Sequence, residues 1–216
     1  MEIRKKKKIA LVLSGGGIKA AAFHIGVCLA LKELGFQMAG GQKEIVRQNF
    51  PDNEPLTIKM YVGSSAGAFV ASVLAAGYPI ESLINAFQVG SGNEPVFNKE
   101  DIQYLKPLTY RNIFNVNGLN ILNMIPDVLL KKSLVVGGVE TLFKNGFKLN
   151  GLFTTKGLEK YLRKEVLIEN DFSRLGVNLF VIGTQLNHTR KAIFGDFQES
   201  HKTPTTKYPK NSSSTC

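Results

Sequence analysis

Cysteine is almost missing from this chain, and the two that exist are poorly placed for a disulfide framework. Cys28 lies inside an apolar helical pattern and Cys216 is the final residue. Two distant thiols fit a reducing compartment, with Cys28 as a small core hydrophobe. Histidine is scarce too. His24, His188 and His201 share no metal-ligand spacing, so no metal is expected. No apolar run reaches the roughly 18 residues of a spanning helix. A basic stripe interleaved with aromatics is also lacking, which argues against nucleic acid as a partner.

Acidic residues number 17 against 27 basic ones, a formal net charge of +10. Part of that excess is local, because Arg4, Lys5, Lys6, Lys7 and Lys8 form one run. The run precedes Ile9-Ala10-Leu11-Val12-Leu13 and so imitates a signal peptide. The apolar stretch, however, breaks at once into Ser14-Gly15-Gly16-Gly17 and shows no cleavage-site pattern. The expectation is a cytoplasmic protein. The basic run is then a solvated N-terminus, or a weak attraction to the anionic headgroups of a membrane surface, about 1 kcal/mol per nearby basic residue.

Apolar residues make up 44% of the 216, enough to build one core. The continuous run 9–13 suits a buried parallel strand. Apolar residues at helical spacing follow from Ala20 to Leu34, with Gly35 at a stop position. The stretch Gln37 to Pro55 is polar and poorly patterned and reads as a loop or insertion. Thr57 to Val62 predicts a second strand, followed by a helix through Ala76 that ends at Gly77-Tyr78-Pro79. Pro79 opens another helix, Ile80 to Phe87.

From Val89 to Asn150 the pattern loosens, and Leu119 to Val136 is an apolar segment broken by Pro126. That segment reads as packing helices, with a lipid-facing cap as the competing reading. Thr154 or Thr155 is placed to cap a helix from Lys156 to Lys164. Val177 to Gly183 predicts a third core strand, and Lys191 to Phe194 a hairpin partner or further strand. His201 to Cys216 is polar and predicts a disordered tail. The division expected is a basic extension over 1–8, a core domain over 9–200 and the tail over 201–216.

Two motifs carry chemistry. Gly63-Ser64-Ser65-Ala66-Gly67 fits G-x-S-x-G between an apolar strand and an alanine-rich helix. There a serine on a tight strand-to-helix turn exposes its hydroxyl, and Ser65 is the candidate nucleophile. The bland alternative is a serine capping a glycine-flanked helix. Gly15-Gly16-Gly17-Ile18-Lys19-Ala20 likewise follows a strand and precedes a helix. Its N–H groups suit an anion. One such anion is a dinucleotide pyrophosphate, but that reading needs an acid after the next strand, and Glu33 falls inside a helix instead. The other is the oxyanion of acyl transfer, which needs fixed donors beside a nucleophile. The second motif supplies that nucleophile.

LVLSGGGIKAAAFHIGVCLALKELG followed by YVGSSAGAFVAS resembles bacterial patatin-like phospholipases. The resemblance implies a three-layer α/β/α sandwich with a mostly parallel sheet, and a serine–aspartate dyad that cleaves lipid acyl esters without an organic cofactor. It implies Ser65 as nucleophile and Gly15, Gly16 and Gly17 as oxyanion loop. Lys19 stands where the family often has a basic residue, and Ala20 replaces a usual glycine. The family's acid sits in Asp-Gly-Gly or Asp-Gly-Ala, yet Asp52, Asp101, Asp127, Asp171 and Asp196 are each followed by a residue other than glycine. The expectation is therefore a chain that stops short of its dyad aspartate and last strands. Two functional expectations follow: a lipid acyl hydrolase, or an inactive lipid- or partner-binding remnant. A serine–acid–histidine set built from Asp171 or Asp196 with His188 or His201 is a third route to an activated serine.

Overall fold

The computed structural model describes residues 3–6, 8–52, 54–98, 100–109, 115–116, 153–154, 156–167 and 171–197. Ile9–Leu13 forms strand β1, in which Leu11 and Leu13 are buried while Ala10 and Val12 point outward. That alternation follows from the two-residue period of a strand. Gly17–Glu33 forms helix α1, and Ala21, His24 and Cys28 line its buried side. Spacings of three and four residues place them on one face.

The polar stretch 37–55 departs from the expected loop. It holds the short strand β2 (Gln37–Met38) and helix α2 (Lys43–Asn49). Only Val46 of α2 is buried, so the segment carries almost no apolar periodicity. Long-range backbone contacts hold it instead. Gly41 N–H donates to the Ala75 carbonyl at 2.9 Å, and Gly176 N–H donates to the Gly41 carbonyl at 2.9 Å.

Strand β3 (Thr57–Ser64) pairs parallel with β1 and β2, and helix α3 (Ala66–Ala75) follows it. Helix α4 (Ile80–Gly90) opens after Pro79, whose fixed φ suits a helix entry. Strands β4 (Asn115–Val116) and β5 (Phe153–Thr154) form a separate antiparallel pair. Helix α5 (Lys156–Tyr161) runs into a π-type stretch, Leu162–Val166. Strand β6 (Asn178–Gln185) pairs parallel with β3, and β7 (Arg190–Gly195) returns antiparallel beside β6. The main sheet therefore has the order β1-β3-β6-β7, with β2 also on β3. This is the expected α/β class with a mostly parallel sheet.

Helix α3 packs across β1, β3 and β6, and α1 packs on α3 and α4. The core lies between them. Tyr61 is fully buried at its centre, and its hydroxyl donates to the Ala39 carbonyl at 2.7 Å. Burial without such a partner would cost a few kcal/mol. The apolar segment Leu119 to Val136, the tail from His201 and Cys216 lie outside the described residues. Among the described residues no helix is long and apolar enough to cross a membrane.

Candidate active site

Parallel pairing of β1 with β3 sets Leu13 opposite Gly63, so both strands deliver their following turns to one edge of the sheet. The turn after β3 holds Ser65 at φ 50° and ψ −121°, a backbone region where a side chain is strained. Ser65 precedes the first turn of α3, but its hydroxyl makes no capping bond, and the residue is exposed. The hydroxyl is thus presented rather than consumed. Gly63 and Gly67 are small for a steric reason. A Cβ on Gly63 would lie 2.5 Å from the Ala68 Cα, and one on Gly67 would overlap the Leu13 carbonyl. Ser64 closes β3 and Ala66 opens α3, which completes the strand–turn–helix context of the motif.

The turn after β1 lies against that serine. A Cβ on Gly15 would stand 3.1 Å from the Ser65 Cβ and 3.8 Å from its Oγ, a tight contact that would push the two turns apart by a few tenths of an ångström. Gly16 and Gly17 take φ of 145° and 64°, which turn the chain into α1. The N-terminal end of α1, whose first N–H groups have no partner within the helix and which carries a partial positive charge, therefore faces the same edge. Lys19 is an exposed residue in the first turn of α1.

A cavity of about 630 Å³ opens beside Ser65. Phe69 and Ser72 of α3 form one wall, Leu158 and Leu162 a second, and Leu179, Val181 and Phe194 of the sheet a third. The Ser72 hydroxyl donates to the Ala68 carbonyl at 2.8 Å, so this polar group makes no demand on an apolar occupant. Two tyrosines, Tyr161 of α5 and Tyr78 between α3 and α4, tie the Lys156–Val166 wall to the rest of the core. Tyr161 donates to the Lys106 carbonyl at 2.6 Å and Tyr78 to the Glu165 carbonyl at 2.7 Å. Among the described residues, charge at the cavity is limited to Asp171 and to Glu159 and Arg163, which pair at 3.0 Å. Volume and lining are those of a small-molecule site.

Of the acids and histidines considered as substitutes for a dyad aspartate, Asp171 lines this cavity. Hydrogen bonding from Ser173, side chain first and backbone second, holds its carboxyl below the ordinary value and makes it a poor proton acceptor. Asp196 is carried away from the serine's edge. Gly195 pairs with Phe180, two residues below the Ile182 that lies beside Ser64. His188 stands exposed in a 3₁₀ turn, Leu186–His188, just beyond that edge, and His201 lies outside the described residues.

Two features of the site had no signal in the sequence. The cavity draws its walls from residues spread between 65 and 194. The buried His24 reaches the Ser14 carbonyl at 2.8 Å, directly before the glycines; from the sequence, a histidine on the first helix reads as a packed or capping residue. The basic N-terminal run has a clear place as well. Lys5, Lys6 and Lys8 are exposed at the start of β1, whereas Ser65 lies beyond the far end of the strands. A five-residue strand separates the two by about 16 Å.

Comparison with known proteins gives one match. The family model for patatin, described as patatin-like phospholipase, fits residues 11–214. No curated protein and no solved structure matches the chain. The family match covers both turns, the sheet and the cavity walls, and the chain belongs to the patatin-like phospholipases, a family of lipid acyl hydrolases.

Proposed function

We propose that this chain hydrolyses lipid acyl esters with the Ser65 hydroxyl as nucleophile and the Gly15–Gly17 backbone as oxyanion donor. The observation that carries the reading is the close approach of Gly15 to Ser65, 3.1 Å from a Cβ built on that glycine. In the reaction Oγ attacks the ester carbonyl and its proton passes to a base. The carbonyl oxygen becomes an oxyanion beside the glycine turn, and the alcohol leaves. Water then hydrolyses the acyl-serine. The apolar cavity beside Ser65 takes the acyl chain, and no cofactor enters these steps. The basic N-terminal run, at the other end of β1, would meet an anionic surface without turning Ser65 toward it.

A second reading has its own observation. Among the described residues, no carboxylate or imidazole is hydrogen-bonded to Ser65. On that reading the chain binds acyl groups without turning them over, because a serine without a base is a weak nucleophile. One experiment separates the two. The purified chain is treated with a fluorophosphonate probe and with p-nitrophenyl esters of increasing chain length, beside Ser65→Ala. Labelling and turnover lost in the variant support hydrolysis. Equal silence of both folded proteins, with saturable binding of a fluorescent fatty acid, supports the binding role.

A further inference from the structure

We propose that His24 is a positioning residue that orients the glycine turn toward Ser65. The inference rests on reading that turn as the oxyanion donor. His24 is 5% exposed, and its Nε2 lies 2.8 Å from the Ser14 carbonyl. A carbonyl only accepts, so Nε2 must carry the hydrogen and donate it.

The consequence follows from peptide geometry. The Ser14 carbonyl and the Gly15 N–H belong to one planar trans unit and point in opposite directions. Holding the carbonyl against His24 therefore aims the Gly15 N–H away from the imidazole. Gly15 is also the residue that backs onto Ser65. A second contact limits the same carbonyl, because a Cβ on Gly67 would stand 2.7 Å from the Ser14 oxygen. The Ser14–Gly15 unit is thus gripped between α1 and the start of α3. The grip matters because the next residues resist rotation so little. Gly16 and Gly17 have no side chain to bias φ, and a free peptide there would sample several orientations. Fixed donors stabilise an oxyanion because no reorganisation is left to perform during the reaction.

The wild-type chain provides the first test. Long-range ¹⁵N–¹H NMR of the His24 ring should show hydrogen on Nε2. A neutral ring protonated only on Nδ1 overturns the proposal. Three variants provide the second test: His24→Gln, whose amide N–H reaches about as far as Nε2, His24→Asn, which is one methylene shorter, and His24→Leu, which has no donor. The ¹³C shift of the Ser14 carbonyl and the exchange rate of the Gly15 amide should be kept in His24→Gln. Both should move in the other two, with exchange faster by about tenfold or more. Unchanged values in folded His24→Asn or His24→Leu overturn the proposal.

Where the wild type labels with fluorophosphonate, His24→Leu should label roughly a hundredfold more slowly, the scale of losing one oxyanion donor. The KM for a p-nitrophenyl ester should stay near the wild-type value while kcat falls, and His24→Gln should restore kcat. A loosened turn with undiminished labelling overturns the link to Ser65. A wild type that never labels defeats the Ser65 reading instead, and the NMR results then decide the role of His24 by themselves.

Discussion

The turns after β1 and β3 solve the same problem in opposite ways. Each leaves a parallel strand, reverses direction and enters a helix at the same edge of the sheet. The first does so with glycines at φ 145° and 64° and presents only backbone. The second does so with Ser65 at φ 50°, and accepts strain to present a side chain. Donors for an anion are best supplied by a backbone without side chains, whereas a nucleophile must be a side chain. On the proposed function, the strain at Ser65 and its absence at Gly16 and Gly17 follow from that difference.

The comparison is tested most severely at Gly67. Gly67→Ala places a methyl into the Leu13 carbonyl, with backbone on both sides and no flexible group to yield. We expect a loss of about 4 kcal/mol or more, the range of severe steric mutations, read as a collapse of the urea unfolding midpoint. A folded variant of normal stability would mean that the two turns are not in contact.

Next comes the serine itself. Ser65→Ala and Ser65→Gly should both abolish fluorophosphonate labelling. Their stabilities should differ, because only glycine accepts φ 50° and ψ −121° without strain. Ser65→Gly should be the more stable by about 2 kcal/mol, the typical cost of such a conformation. Equal melting temperatures would show that the second turn is as relaxed as the first.

The buried side of α1 has a pH signature. Cys28 of α1 is fully buried, and burial pushes its thiol from 9.0 up to about 11. The folded state thus keeps a proton that the unfolded state releases first. Stability is complete below pH 9.0 and falls as pH rises toward about 11, by on the order of 2 kcal/mol. Tyr61 of β3, raised by burial and by the nearby Cys28, changes in the same direction at higher pH. Cys28→Ala should flatten the first part of the alkaline decline in denaturant titrations. An unchanged profile would place the pH sensitivity elsewhere.

The smallest expected effect is at Gly17. Its φ is 64°, but a Cβ there would meet nothing within 4 Å. Gly17→Ala should cost only the left-handed backbone penalty, about 1 kcal/mol, seen as a shift of a few degrees in Tm. A cost matching that of Gly67→Ala would erase the contrast between open and closed glycines.

Much of this architecture was legible before the structure. The run 9–13, the apolar spacing of α1 and the Pro79 start of α4 are local signals. Lys191 to Phe194 reads as a hairpin partner or further strand and is the centre of β7, which pairs antiparallel with β6. The stretch 37–55 misled because α2 buries only Val46 and is held by Gly41, Ala75 and Gly176, partners far away in sequence. The α5 region was legible as a helix from Lys156, but its passage into a π-type stretch at Leu162 was not. The cavity walls were invisible for the same reason as α2: Phe69, Leu158 and Phe194 share no pattern until the fold brings them together.

What the sequence determined by itself were the two turns, because a strand, a glycine-flanked bend and a helix start are set by sterics within a few residues. Only the tertiary structure decided that the turns touch. The register pairing Leu13 with Gly63 brings Gly15 against Ser65 and Gly67 against Leu13, and the packing of α1 brings His24 to Ser14. Register and helix packing are settled by burial summed over the whole core. No short stretch of sequence encodes them.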